Sequence, residues 1–569
     1  MLRKNIQKMF LLIGVGVFTF FNSIFNPFIN DDYPQIVLNP FVRKLANLPF
    51  FFYTGIGFPQ NIKGFRLFEG FFRPIPIAVY TLLFSFFGQN PFPFHMVQIF
   101  IHIANTILVF YIFALFFESS TALFLSLIFL VHPINSESVI YISNLQEVLF
   151  SLFGLLSLAL LIKFKENALH AKKHVLIFFL LFFSLLSKET GFLFLFIILI
   201  YSFLFDRKSL SGLLFVDLMT FSSYLVLRAI SSFNPIQVVI PSFIQRSPLL
   251  FRLISIPRII LYYISQFIFP VQQTIGQEWL VKAIDMQNFY LPLFLDIVIF
   301  AGIVFFGIRL FGKKSVLAKP YIFFSIWFGI GLLMHIQLLP LDFIVASRWF
   351  YFPIIGALGM MGIAIDSFFN SNKIIFIGAS IIVGLLMIGT IMRNTLWQSP
   401  LELYAHDIKY MEESPKLYNL YGEALVNEGE LNEAKKYFKR SLTLDPLLGS
   451  NLYDLGIVYE KKKDYSHAKD MYWKSIYLND GLPKFSSYEG LVRITLFGDK
   501  NPEEAKRLAE HALKIHPLDS RLRGYLAISQ YLIGDKDGAI SSGLQLLKQE
   551  PSEENKALFM QIKDRTLRF

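Results

Sequence analysis

Along the first 400 positions apolar residues come in long blocks, and beyond them the pattern turns mixed and polar. A helix that crosses a bilayer needs roughly 20 apolar residues. Segments 9–29, 95–117, 139–162, 211–230, 290–311, 319–339, 350–367 and 373–392 meet that need. The shorter runs 120–132, 175–187 and 191–205 read as spans as well. Segment 251–271 is apolar, but Arg252 and Arg258 interrupt its start.

After Trp397 charged residues become frequent and no run is long enough to span. A period of about 34 residues sets in, the length of a tetratricopeptide repeat. With Pro415 as the first position, Tyr418, Gly422, Leu425, Ala434, Phe438 and Pro446 fall at signature places. The next unit supplies Leu452, Leu455, Gly456, Tyr459, Ala468 and Tyr472. A third unit, with about three extra residues, ends in Ala505, Ala512 and Pro517, and a fourth carries Leu526, Ala527, Ala539 and Pro551. Small residues at these places let paired helices approach, and large ones fill the facing holes. A generic helical domain is the plainer alternative. Repeat arrays present a concave surface for peptides, so this part implies binding. The pattern predicts an all-α chain: a polytopic membrane helix bundle over 1–399, then a tetratricopeptide-repeat α-solenoid over 400–569.

Composition supports the first half of that reading. Of 569 residues, 54% are hydrophobic and only 16% charged, against roughly a quarter charged in soluble domains. The 66 phenylalanines have an obvious sink in lipid. The net charge of +11 sits largely in short loops beside apolar segments, where cytoplasmic Lys and Arg collect, so no nucleic-acid partner is implied. Arg3, Lys4 and Lys8 precede the first span, which reads as retained because no small-residue cleavage site follows. Lys163, Lys165, Lys172 and Lys173, then Arg207 with Lys208, then Lys313, Lys314 and Lys319, then Lys373 mark the later basic loops. All fall on one side if 231–288 makes no net crossing and 251–271 dips into the outer face. About eleven spans result, with the repeats outside the cytoplasm. A bacterial inner membrane is the expected location. There is no cysteine, hence no disulfide framework, thiolate nucleophile or Cys-ligated metal.

Charged groups near membrane depth are expensive and usually functional. Four clusters stand out, all facing one side in this topology. Asn30-Asp31-Asp32-Tyr33 follows the first span; paired carboxylates can supply a general base, or can be solvated turn residues. His132-Pro133-Ile134-Asn135-Ser136-Glu137-Ser138 joins two apolar helices. His132 and Glu137 can orient an acceptor or bind a metal, or simply make a polar turn. Ser187-Lys188-Glu189 lies between two short apolar runs; Lys188 can neutralise a lipid phosphate, or form an interfacial ion pair with Glu189. Arg348 opens a span beside an aromatic belt, which suits bidentate phosphate binding or ordinary anchoring. His102 and Asn105, with His95 before them, read as bonds between helices. No Walker loop, Rossmann fingerprint, HExxH or GxSxG is present.

Taken together, these clusters resemble bacterial relatives of the eukaryotic transmembrane-and-tetratricopeptide protein O-mannosyltransferases, within the glycosyltransferase C superfamily. The resemblance rests on Phe28-Ile29-Asn30-Asp31-Asp32, Asn39-Pro40, Phe72-Arg73-Pro74-Ile75 and Phe87-Gly88-Gln89-Asn90-Pro91. It continues through His95, His102, Asn105, Thr106, the His132 to Ser138 turn, Lys188, Ser347 to Pro353, Arg393, Trp397 and the repeats. It implies a glycosyltransferase C-like membrane domain that moves a mannose-like hexose from a polyprenyl-phosphate donor to a hydroxyl acceptor, protein Ser or Thr, outside the cytoplasm. In that frame Asp31 or Asp32 is the base, Arg348, Lys188 and Arg73 handle the donor phosphate, and His132, Glu137 and Glu189 shape the acceptor side. The repeats would bind an acceptor protein or a partner. Leu145 and Gln146 stand where relatives carry a basic pair, and Ser347 where they often carry an acid. No metal ligand set and no cofactor is expected, with a divalent cation left open. Two rival readings are an O-antigen-ligase-like glycan transferase and a non-enzymatic scaffold that uses its repeats to bind proteins.

Overall fold

The computed structural model describes residues 5–54, 72–163, 171–231, 242–368, 373–411, 413–478, 481–515, 517 and 519–567. Among them every regular element is helical, and one isolated antiparallel bridge pairs Gln277 with Val345. They form two compact units that part between Glu412 and Glu413.

The first unit is a bundle of apolar helices: α1 (Ile6–Phe20), α2 (Pro74–Phe87), α3 (Phe92–Phe113), α4 (Ser119–Val131), α5 (Ser136–Ile140), α6 (Leu145–Lys163), α7 (Ala171–Ser187) and α8 (Leu193–Phe205). It continues with α9 (Leu210–Ser231), α10 (Leu249–Ile268), α11 (Leu291–Gly312), α12 (Ala318–Leu333), α13 (Pro353–Phe368), α14 (Lys373–Leu396) and α15 (Pro400–Ile408). Prolines open several of these helices, α2, α3, α11 and α15 among them, because the first turn needs no N–H from them and their fixed φ suits it. Seven of the described helices are long and apolar enough to cross a membrane, or eight if the bent pair Ser119–Val131 and Pro133–Ile140 is one span. Every segment read as a span falls on a helix.

Four details differ from expectation. Segment 139–162 is not one continuous helix: α5 ends at Ile140, a single tight turn covers Ile142–Asn144, and α6 starts at Leu145. The apolar stretch there is buried protein, with Val139, Ile140 and Ile142 at most 1% exposed. The helix α2 lies outside every segment read as a span, and α10, read as dipping into the outer face, is long and apolar enough to cross a membrane. Residues 400–411, grouped above with the repeats, pack in the first unit, tied by Asp407 to Arg393 on α14.

The second unit is a stack of antiparallel helix pairs: α16 (Pro415–Asn427) with α17 (Leu431–Leu444), α18 (Gly449–Lys461) with α19 (Tyr465–Tyr477), α20 (Gly481–Arg493) with α21 (Pro502–Ile515), α22 (Ser520–Leu532) with α23 (Lys536–Gln549), and a final α24 (Glu553–Lys563). Side-chain caps start the helices: Ser414 accepts from Leu417 N, Asp464 from His467 N, Asp519 from Leu522 N and Ser552 from Asn555 N. Such caps satisfy donors that the first turn leaves free. Ala434, Ala468, Ala505, Ala527 and Ala539 are fully buried, as their signature positions require. The extra residues of the third repeat are taken up by a wide five-residue turn, Ile494–Gly498, at the end of α20.

Candidate active site

A short segment, 137–147, carries the contacts that bring the candidate residues together. It runs from α5 through the tight turn into α6. Its first carboxylate, Glu137, receives the backbone N–H of Arg348 at 3.0 Å and also pairs with the Arg348 guanidinium. Tyr141 Oη accepts the backbone N–H of Asp31 at 3.0 Å. Ser143 donates its N–H to Asp32 Oδ1 at 2.8 Å and its hydroxyl to the same oxygen. Glu147, in the first turn of α6, pairs with Lys188. Asp31, Asp32, Glu137, Arg348 and Lys188 therefore all lie along one strip.

The two aspartates are not equivalent. Asp32 is 1% exposed, and its second oxygen accepts from Ile29 N at 3.0 Å. Burial pushes its carboxyl up to about 7, while the bonds from Ile29 and Ser143 pull it down. With both oxygens engaged, Asp32 anchors the loop after α1. Asn30, at φ 45°, makes the left-handed turn that an Asn tolerates better than most residues, and it delivers Asp31 beside this anchor. Asp31 is only half-buried, and the bonds that fix it are main-chain ones, its N–H to Tyr141 Oη and its carbonyl from Gln35 N.

Arg348 sits at the start of a short turn, Ser347–Phe350. Besides Glu137, its Nη1 reaches the Ile275 carbonyl at 3.3 Å, and its guanidinium lies 5.4 Å from the Phe343 ring centre and 5.5 Å from that of Trp349. Lys188 and Glu147 are both buried, at 8% and 3% side-chain exposure, with the Phe150 ring 5.7 Å from the ammonium. Next to Lys188 in the chain, Glu189 takes Arg73 through Nε at 2.9 Å and Nη2 at 2.8 Å, both on Oε2. Its Oε1 is buried and without a partner among the described residues. The Lys188 ammonium feels the positive charges of both Arg73 and Arg348. Each cation of the strip thus meets a carboxylate, which keeps burial affordable.

His132 stands apart. Its Nδ1 accepts from Ile134 N at 3.2 Å, so Nε2 carries the proton and donates to the Phe267 carbonyl at 3.0 Å. Its ring stacks on that of Phe267. Both nitrogens are committed, Nδ1 within the turn and Nε2 to α10. His102 and Asn105 bond between helices as expected: His102 to Tyr351 Oη and the Leu130 carbonyl, Asn105 to the Val148 carbonyl. Among the described residues no group of three or more His, Asp or Glu side chains is arranged to hold a metal ion.

Glu147 and Tyr141 are the site residues that the sequence reading missed. A carboxylate in the first turn of an apolar helix was a usable signal for Glu147. Nothing local distinguishes Tyr141, whose role comes from residue 31 being folded onto it.

Comparison with known proteins agrees with this architecture. A tetratricopeptide repeat family model matches residues 415–446. The chain is 24% identical over 573 residues to the Homo sapiens protein O-mannosyl-transferase TMTC3, covering 90% of this chain and 61% of that protein. It is 24% identical over 471 residues to the Caenorhabditis elegans protein O-mannosyl-transferase F38B6.6, covering 78% and 63%. A shorter stretch of 153 residues is 32% identical to the Homo sapiens protein O-mannosyl-transferase TMTC1, covering 26% and 17%. The chain spans about three-fifths of the length of the relatives it matches most extensively. Among solved structures, the repeat protein YrrB covers 29% of this chain and 91% of its own at 22% identity and a TM-score of 0.25. Yeast Tom70 covers 79% and 92% at 13% identity and a TM-score of 0.23. Over nine-tenths of its length this chain is thus similar to the transmembrane-and-tetratricopeptide protein O-mannosyl-transferases, joining a membrane helix bundle to a repeat domain.

Proposed function

We propose that this chain is a membrane glycosyltransferase that moves a hexose, mannose favoured, from a polyprenyl-phosphate donor to a Ser or Thr hydroxyl at the extracytoplasmic face. The observation that carries the reading is the 137–147 strip, which brings Asp31 and the paired cations Arg348 and Lys188 along one stretch of chain. In the reaction Asp31 takes the proton of the acceptor hydroxyl. The acceptor oxygen bonds to the anomeric carbon, the carbon–oxygen bond to phosphate breaks, and the polyprenyl phosphate leaves with the electron pair. Arg348 faces the leaving phosphate with a planar fork, and Lys188 and Arg73 add positive potential. Asp32 holds Asp31 in place through Ser143 and Ile29 and is not the base. His132, with both nitrogens committed, shapes the turn, and Glu137 and Glu189 orient the arginines. In this reading the repeats lie outside the cytoplasm with the acceptor, the side that the basic loops favour when 231–288 makes no net crossing, and there they hold an acceptor protein or a partner.

The test is sugar transfer from synthetic polyprenyl-phosphate mannose to a Ser/Thr-rich peptide by the purified protein in lipid nanodiscs. Removing a general base costs about 10²–10⁴ in rate, so Asp31→Asn should lose at least about a hundredfold while binding donor like the parent. Arg348→Lys should lose about tenfold to a hundredfold, the worth of one charge-assisted hydrogen bond, and should bind donor more weakly. Transfer by Asp31→Asn at the parental rate overturns the assignment.

A further inference from the structure

The loop between α10 and Tyr290 passes directly over Arg348, and its main chain is held from two sides. On one side it pairs with the segment leading to Arg348: Gln277 N donates to the Val345 carbonyl at 2.8 Å, and Ile344 N to the Gln277 carbonyl at 2.7 Å. Ser347 Oγ meets Gln273 Oε1 at 2.8 Å. On the other side, Ile275 N donates to Asp407 Oδ2 on α15 at 2.9 Å. The carbonyl of that same Ile275 accepts from Arg348 Nη1.

Asp407 is itself fixed. It is fully buried, and Arg393 grips it with Nη1 on Oδ1 at 2.9 Å and Nη2 on Oδ2 at 3.4 Å. His406 Nδ1 lies 2.9 Å from Oδ1. Arg393 in turn lies 5.9 Å from the Trp397 ring centre, and that ring packs against Tyr141, whose hydroxyl takes the Asp31 N–H. A fork-shaped arginine pair sets the direction of a carboxylate as well as its position. A buried ion pair is seldom the most stable filling for its space, so a pair that also orients a neighbouring main chain has a further use.

We infer that Asp407 is a positioning residue for Arg348, acting through the main chain of Ile275, so that α15 belongs to the transfer machinery. The inference rests on the reading of Arg348 as the phosphate-binding group. Asp407 touches no reacting atom; it holds the Ile275 carbonyl, which together with Glu137 sets where the Arg348 fork points. The residues immediately before the repeats thereby become part of donor recognition.

The experiment is a double-mutant cycle on the full chain in nanodiscs, read as the Kd for synthetic polyprenyl-phosphate mannose. Asp407→Asn keeps the size but loses the charge that Arg393 grips, and should weaken donor binding about tenfold on its own. In the Arg348→Lys background, where no fork remains to be aimed, the same change should cost less than about twofold, since coupled residues are not additive. Asp407→Glu, which keeps a carboxylate, should recover most of the affinity. Equal losses in both backgrounds mean general loosening of the fold and overturn the inference, as does an unchanged Kd in Asp407→Asn. If Arg348→Lys itself binds donor like the parent, the phosphate reading falls first and this inference with it. Should Asp407→Asn not purify as a single species, Arg393→Lys keeps the charge but not the fork and is judged by the same rule.

Discussion

Both units close helix pairs by laying an aromatic ring over a glycine, but they space the partners differently. In the repeats a Cβ added at Gly422 would lie 2.5 Å from the Phe438 ring, and one at Gly456 would lie 2.4 Å from that of Tyr472. The ring follows its glycine by sixteen residues both times, and the second pair repeats the first thirty-four residues on. In the membrane unit the same contact joins Gly154 to Phe194 and Gly359 to Phe324, at 2.0 and 2.2 Å, and there no common spacing exists. One unit repeats a local solution, and the other solves each contact once across long stretches of chain. Charges follow the same division. Ion pairs of the repeats are largely exposed, as with Lys474–Asp470 at 56% and 52%, whereas Lys188–Glu147 is buried.

The contrast breaks first, and with the largest effect, at the charges. Lys188→Met strands Glu147 without a cation and should cost about 3–5 kcal/mol, read as a lower midpoint of thermal unfolding for the membrane unit. Lys474→Met removes the partner of Asp470 on the surface and should change stability by less than about 0.5 kcal/mol. Equal costs would erase the difference drawn here. A smaller effect is expected at the glycines. Gly154→Ala and Gly422→Ala each drive a methyl group into a ring and should cost about 1–3 kcal/mol. The repeat variant should expose only neighbouring helices to limited proteolysis, because each repeat leans on the next alone, while the Gly154 variant should loosen the bundle more widely.

A further effect is a pH dependence at Asp32 in the membrane unit. The carboxyl of Asp32 is raised in the folded protein from its ordinary value to about 7. A group raised on folding adds stability below its unfolded pKa and loses that contribution as pH rises through the folded one. The thermal midpoint of the membrane unit should therefore fall from about pH 4 to about pH 7, and Asp32→Asn should flatten that slope. A slope unchanged by the substitution would show that Asp32 does not titrate in this range.

What was legible follows the same line. The repeats were readable to the residue, since Gly422, Ala434 and Phe438 lie within one turn-and-helix unit and their spacing states their contacts. The membrane helices were readable as blocks, because hydropathy reports length. Their ends were not: the polar turn at 132–138 shows in the sequence, but Val139-Ile140-Tyr141-Ile142 after it is as apolar as a helix, and the contacts of Tyr141 and Ser143 hold a second break there. In the site, the charged residues announced themselves by standing in apolar surroundings, but their pairing did not. The sequence set Lys188 beside Glu189, yet in space Lys188 meets Glu147 and Glu189 meets Arg73. Which aspartate is anchored depends on Ser143, more than a hundred residues away.

The meeting of α1 with α14 has a consequence for how the protein is made. Asn394 donates to the Thr19 carbonyl at 3.0 Å, Asn22 to the Ile391 carbonyl at 3.0 Å, and Asn26 to the Asn394 carbonyl at 3.4 Å. These amides join residues some 370 positions apart, at the foot of the loop that carries Asp31. During synthesis the first helix is in place long before its partner leaves the ribosome. Until α14 arrives, the amides of Asn22 and Asn26 lack these partners, and the loop bearing Asp31 has no wall behind it. Assembly of the bundle is thereby tied to completion of the chain, and a molecule cut short before residue 391 holds every early element of the site in an unfinished frame.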